Sequence, residues 1–225
     1  MTRIILVRHG LSKANEEKVF AGIYNTPLSE TGHKQAGAVA DYLKANEKVD
    51  KVFSSDLDRV CDTVKPTADA FSLEVIRDKG LREINGGYWE CLPFDDLATH
   101  FKDDFYTWIH DTKNARPTGG ESVREVYDRI VAHVLKLAEE NDGKTIVLGT
   151  HWTPIRALLA FVLTGSADGF GTAEPVVASA VPDGAEEKAF LNPEVKNASI
   201  HVLAYENGKL TPVQLSIDAH LDALS

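Results

Sequence analysis

Apolar positions along the chain alternate between two periods. Residues 3–7, RIILV, form a short apolar run cut off by Arg8 and Gly10, the pattern of a fully buried parallel strand. Beyond Pro27 the period lengthens. Ser29 stands where an N-cap is wanted, and Ala36, Val39, Ala40 and Leu43 recur at i, i+3, i+4 and i+7, which predicts an amphipathic helix. Residues 49–53 return to a strand pattern. Leu57, Val60, Cys61 and Val64 then begin a second helix, which Pro66 is expected to kink or divide. Residues 73–76 fit a third strand.

The clearest helix covers residues 122–141, where Val123, Val126, Tyr127, Ile130, Val131, Val134 and Leu135 make one stripe and Gly143 is placed as a stop. A strand at 145–148 and a helix at 155–163 follow. Residues 165–195 are rich in Gly, Ala and Pro without a clear period, and read as an insertion or a long mobile loop. In SIHVLAYENGKLTPVQL, Asn207-Gly208 between two β-rich runs signals a hairpin. This alternation predicts an α/β fold: three layers, α/β/α, with a mostly parallel open sheet and a C-terminal β-hairpin.

Composition narrows the function. With 225 residues and 43% hydrophobic content, the chain is long enough for one sizeable core, so residues 1–225 are read as a single domain. The net charge of −10 disfavours a nucleic-acid or membrane-surface partner, since both demand a broad basic face. Any anion must be bound locally. Cys61 and Cys91 are too few for a disulfide framework and show no metal-like spacing, which suits a reducing cytoplasm. The apolar run ending at Val7 is too short for a signal segment or a membrane span, so a cytoplasmic location is expected. A homodimer is compatible with the sequence.

In open parallel sheets, ligands bind beyond the carboxyl ends of the strands. Three segments deliver unusual residues there: LVRHG brings Arg8 and His9, VFSSDLDR brings Arg59, and IVLGTH brings His151. Each has an ordinary reading alone. A histidine after a buried strand is commonly structural, Arg59 could pair with Asp56 or Asp62 on its own helix, and Glu83 could be a solvated loop carboxylate. Their joint placement at one sheet edge describes an anion site containing a nucleophile.

These motifs resemble the histidine phosphatase superfamily, also called the phosphoglycerate mutase-like family. Arg8-His9-Gly10 matches its Arg-His-Gly signature, with Ser12 and Asn15 at the positions that follow. TPLSETGHKQA, SSDLDRVCDT, LREINGGYWE, GGES and GTHWTPIRALL match further landmarks in the family's order. There are three departures. Trp152-Thr153-Pro154 stands where Gly-Gly usually follows the second histidine, Leu11 replaces a frequent Glu or Gln, and Cys91 replaces a common Gly. The resemblance implies a phosphoglycerate mutase-like fold with insertions at about 91–120 and 165–195.

The chemistry fits these residue types. A neutral imidazole at His9 can attack phosphorus through one nitrogen while the other donates to a backbone carbonyl. Arg8, Arg59 and His151 can surround the phosphoryl oxygens, His151 as a cation once phosphate is bound, with Asn15 and the Trp152 backbone N–H as neutral donors. The Trp152 side chain either narrows the entrance or packs into the core beside Leu158. The resemblance places Glu83 as the acid that protonates the leaving group. No metal and no cofactor is called for. Three readings follow: a phosphatase acting on small phosphomonoesters through phosphohistidine, a cofactor-dependent phosphoglycerate mutase, and a non-catalytic phosphate-binding module. A mutase would need basic residues to grip a second acid group, and 91–118 is instead rich in Asp and aromatics, so hydrolysis is favoured. A metal site on His9 and His151 lacks further ligands at a recognisable spacing.

Overall fold

In the computed structural model, which describes residues 1–170 and 193–224, the first apolar run becomes strand β1 (Thr2–Arg8) of a six-stranded sheet. The other strands are β2 (Lys51–Ser54), β3 (Val75–Arg77), β4 (Thr145–Thr150), β5 (Ile200–Glu206) and β6 (Lys209–Ile217), in the order β3-β2-β4-β1-β5-β6. β1 pairs with β4 in parallel and with β5 antiparallel. Both of its edges and both of its faces are covered, which is why Ile4, Ile5, Leu6 and Val7 are buried in succession. The parallel part is β3-β2-β4-β1. The antiparallel pair β5 and β6 is the hairpin around Asn207-Gly208.

Helices cover the two faces. α1 (Lys13–Glu16) is a single turn after β1. α2 (Glu30–Asn46) and α3 (Asp58–Ala70) bury Val39, Leu43, Val64 and Ala68 with Ile5 and Val7 on one face. α4 (Phe94–His100) and α5 (Lys102–His110) are short. α6 (Val123–Glu140) and α7 (Trp152–Thr164) pack Ile130, Val134, Ile155 and Leu159 with Ile4 and Leu6 on the other face. Caps fix the starts: the Ser29 side chain accepts from the Gly32 N–H, and Ser122 and Glu125 form a reciprocal capping box. Among the described residues, no helix is long and apolar enough to cross a membrane.

The structure departs from sequence expectation at several places. Pro66 does not divide its helix; α3 continues to Ala70. Proline removes only the bond to the Asp62 carbonyl, and buried Val64, Thr67 and Ala68 hold both halves in place. α7 begins at Trp152, three residues before the expected start, because Pro154 falls in the first turn, where its missing N–H costs nothing. β3 is shifted to Val75–Arg77. Residues 91–120 fold into α4, α5 and a 3₁₀ turn, Thr112–Asn114, packed on Trp89. Of the 165–195 segment, 171–192 lie outside the described residues; Gly165 ends α7 in the left-handed conformation with φ of 74°.

One close approach brings the turn after β1 against α2. A Cβ on Gly32 would stand 2.1 Å from the Leu11 carbonyl oxygen, whereas one on Gly37, also in α2, would meet nothing within 4 Å. Helix propensity alone favours alanine at both positions. Gly37→Ala should therefore stabilise the protein by about 0.5–1 kcal/mol, while Gly32→Ala should destabilise it by about 1–3 kcal/mol. Urea midpoints of the two variants check this, and equal signs would contradict the close approach.

Candidate active site

Strand register builds the site. Arg8 lies opposite Thr150 in the β1–β4 ladder, so His9 and His151 leave neighbouring strands at the same level. The His9 N–H donates to the Thr150 carbonyl at 3.0 Å, and the two imidazole centroids stand 5.2 Å apart. His9 Nδ1 lies 2.7 Å from the Gly10 carbonyl oxygen. A carbonyl can only accept, so Nδ1 carries the proton and Nε2 keeps its lone pair. Burial, followed by the charges of Arg59 and Arg8, pushes the His9 pKa well below the ordinary histidine value. The ring is neutral.

His151 is fully buried. Its Nε2 is 2.9 Å from the Ser55 hydroxyl, and its Nδ1 has no hydrogen-bond partner. Its pKa is also pushed well down, by burial first and then by Arg59, His9 and Arg8. Arg8 donates from Nη1 to the Val195 carbonyl at 2.7 Å, while its buried Nε is unpartnered. Burial lowers the Arg8 pKa to about 10, so the group remains cationic at neutral pH. The site thus holds a half-buried cation and two buried, unpartnered polar nitrogens, an unfavourable arrangement that an anion would relieve.

Arg59 is placed differently from expectation. It pairs with neither Asp56 nor Asp62, and it does not line the pocket. Its guanidinium donates to the carbonyls of Tyr24 at 2.8 Å, Gly22 at 2.7 Å and Ala21 at 3.2 Å. From the other side, the Glu90 carboxylate accepts from the N–H groups of Gly22, Ile23 and Tyr24 at 3.0, 2.9 and 3.1 Å. Residues 21–24 are therefore held between a cation and an anion. Arg59 still acts on the site by charge: its pKa is lowered to about 10 by burial, and its field reaches both histidines.

Glu83 is buried at the N-terminus of α7. Its carboxylate accepts from the Ile84 N–H at 2.9 Å and from the Thr153 N–H at 3.2 Å. Burial raises its pKa, outweighing these bonds and the Arg59 charge. It makes no salt bridge to Arg82, whose guanidinium grips Asp56 at 2.6 and 2.7 Å. The chain before Glu83 is fixed by the Thr150 hydroxyl donating to the Leu81 carbonyl at 2.7 Å. Arg129 on α6 also bonds the carbonyls of Gly80 and Arg82, both at 3.0 Å.

Asn15 lines the pocket, with its oxygen accepting from Ser12 and from the Asn197 amide at 3.2 Å. That leaves its NH₂ as the group free to donate. Trp152 lines the pocket and also packs against the core, with its ring 6.3 Å from Trp108 and 6.0 Å from Phe170. The pocket has a volume of about 300 Å³, with Arg8, His9, Asn15 and Glu83 at its polar end. Among the described residues, no group of three or more His, Cys, Asp or Glu is placed to hold a metal ion.

Sequence reading missed four supporting residues. Ser55 and Glu90 lie inside quoted motifs, where their polarity was the available signal. Arg129 looks like any surface residue of an amphipathic helix. Asn197, whose amide donates to the carbonyls of His9 at 3.1 Å and Gly10 at 3.3 Å, is distant in sequence and carries no local signal.

The chain matches the family model of the histidine phosphatase superfamily (branch 1) over residues 4–181. Phosphoserine phosphatase 1 of Hydrogenobacter thermophilus is 28% identical over 221 residues, covering 98% of this chain and 95% of that protein. A bifunctional protein of Mycobacterium tuberculosis is 35% identical over 162 residues, 72% of this chain and 44% of that protein. This chain therefore spans less than half the length of that relative. Among solved structures, YhfR of Bacillus stearothermophilus superposes with a TM-score of 0.85 at 21% identity, over 99% of this chain and 100% of that one, a likeness of fold. Because the matched region runs continuously from the first strand past the second histidine, the chain belongs to the histidine phosphatase superfamily.

Proposed function

We propose that the protein is a phosphatase that hydrolyses small phosphomonoesters through a phosphohistidine on His9. The observation that carries this reading is the bond between His9 Nδ1 and the Gly10 carbonyl, which leaves Nε2 unprotonated on a ring within the field of Arg59 and Arg8. In the first step Nε2 attacks phosphorus and the bond to the ester oxygen breaks. The Glu83 carboxyl proton passes to that oxygen, and the alcohol leaves. In the second step water attacks phosphorus, its proton returns to the Glu83 carboxylate, and the P–N bond breaks to release phosphate and neutral His9.

Charge stabilisation and positioning supply most of the rate in such a transfer. Arg8 Nε and His151 Nδ1, the two unpartnered nitrogens, are donors for the phosphoryl oxygens. The Asn15 NH₂ and the Trp152 backbone N–H in the first turn of α7 add neutral donors. Arg59 contributes its charge and holds residues 21–24. A bound phosphate reverses the electrostatics at His151, favouring the imidazolium. A mutase must hold a second acid group, and Arg8 is the one cation among the described pocket residues. That favours hydrolysis over phosphoryl transfer between carbon atoms of one substrate.

Two outcomes test the mechanism. His9→Ala should lower kcat on nitrophenyl phosphate by about three orders of magnitude or more, and wild-type enzyme quenched during turnover should carry an acid-labile, base-stable phosphoryl group. Full turnover in the variant would remove His9 as nucleophile. Glu83→Gln should slow an alkyl phosphomonoester by about 10²–10⁴-fold and nitrophenyl phosphate far less, because an activated leaving group departs without a proton. The sign of the pH dependence follows from the raised Glu83 pKa. Wild-type kcat on the alkyl ester holds while the carboxyl keeps its proton and falls as pH rises through that pKa, and the glutamine variant should lose this limb.

A further inference from the structure

The pocket has two ends of opposite character. Beyond Arg8, His9, Asn15 and Glu83, its lining is mostly apolar, with Val19, Phe20, Ile84, Phe94, Trp108 and Trp152 as its larger members and Thr153 as a further polar one. They come from the segment after α1, from the loop after Glu83, and from α4, α5 and α7. The aromatic members form a connected set. Phe20 meets Trp108 at 5.7 Å and Phe94 at 6.0 Å, both edge to face, and Trp108 meets Trp152 at 6.3 Å. Behind them Phe20 stands 5.5 Å from Trp89, which is wholly buried and donates its indole N–H to the Thr118 hydroxyl at 3.2 Å. The wall is therefore anchored in the core.

Backbone pairing fixes the rim. The Phe20 N–H donates to the Leu92 carbonyl at 2.8 Å, the Cys91 N–H to the Phe20 carbonyl at 3.0 Å, and the Phe94 N–H to the Lys18 carbonyl at 3.1 Å. Phe94, 38% exposed, stands at the opening and is followed directly by the exposed carboxylates Asp95 and Asp96. Once Arg8 is engaged by phosphate, none of the described pocket residues is left to pair a second anion.

We propose that this apolar end is a specificity site for phosphomonoesters whose alcohol carries an aromatic or bulky apolar group and no second negative charge. The proposal rests on the phosphatase reading above and names its substrate class. A flat apolar group displaces water from an ordered aromatic wall. A carboxylate there loses hydration without meeting a cation among the described pocket residues. Selectivity thus combines attraction for one class with a penalty against the other.

The test compares substrates that all release alkyl alcohols, so that chemistry does not mask binding: 2-phenylethyl phosphate, glycerol 3-phosphate, phosphoserine and 3-phosphoglycerate, with nitrophenyl phosphate as a separate report of turnover. We expect kcat/KM for 2-phenylethyl phosphate to exceed that for each of the other three alkyl esters by about 10- to 100-fold. Phe94→Ala should reduce the ratio of 2-phenylethyl phosphate to glycerol 3-phosphate about tenfold. Phe94→Arg should raise 3-phosphoglycerate relative to 2-phenylethyl phosphate, a gain that misfolding cannot mimic. If nitrophenyl phosphate is turned over through His9 but phosphoserine or 3-phosphoglycerate equals or exceeds 2-phenylethyl phosphate, this proposal is overturned while the phosphatase reading stands. Absence of turnover on every ester, with no phosphohistidine formed, would remove both. The wild-type ratio decides by itself, so the folding of either variant cannot obscure the result.

Discussion

Positive charge buried at the end of two parallel strands is the constraint around which this molecule is arranged. Arg8 and Arg59 are both largely withdrawn from water, and their pKa values, each lowered to about 10, still leave them cationic at neutral pH. Removing such groups from solvent costs several kcal/mol apiece unless carbonyls, carboxylates or a ligand compensate. Compensation is partial. Arg59 has three carbonyl partners, whereas Arg8 has one, and its Nε has none. The same field and burial keep both histidines neutral, while burial holds Glu83 toward its protonated form. Burial therefore leaves a neutral imidazole, a carboxyl held toward its protonated form and unpartnered donors together, the groups that the proposed hydrolysis needs.

The fold supplies this arrangement through register and close backbone approach. Parallel pairing of β1 with β4 sets His9 beside His151, and Gly32 lets the turn carrying Leu11 press on the start of α2. Residues 21–24 are strung between Arg59 on their carbonyl side and Glu90 on their amide side, so that two opposite charges hold one loop without touching each other. A Cβ on Gly22 would stand 2.1 Å from the Ile84 carbonyl oxygen. The loop is therefore pressed against the segment that carries Glu83, which couples the position of the acid to the same clamp.

Elements with a sustained hydrophobic period were readable in the sequence. β1, α2, α6 and the C-terminal hairpin follow from spacing and turn chemistry, and Arg8, His9 and His151 from their places at strand ends. Glu83 was identified through its motif alone, since a loop carboxylate has no periodicity to locate it. Arg59 was expected on the phosphate, whereas three carbonyls hold it, and those partners, more than thirty residues away in the chain, leave no local signal. Helices α4 and α5 span fewer than three turns each, too short for a period to emerge, and so the segment read only as Asp-rich and aromatic. Its role is visible once Phe94 and Trp108 meet Phe20.

Chemistry and selectivity are consequently built from different materials. The groups proposed for catalysis hang on the sheet, on α7 and on a loop tied to α6, where a shift in one displaces several buried partners. The wall proposed for selectivity shares α7 and the Glu83 loop through Trp152 and Ile84, but Phe94 and Trp108 bring α4 and α5 to it, and these join the rest through aromatic contacts and a few backbone bonds. Cys91 marks the boundary. It occupies the left-handed region with φ of 66°, where its own family commonly has Gly, yet its N–H still completes the pairing with Phe20. The strain is tolerated because the side chain is exposed and the rim pairing on either side fixes the backbone. Phe94 and Trp108 can therefore change without moving His9 or Glu83, so the proposed selectivity is separable from the proposed chemistry.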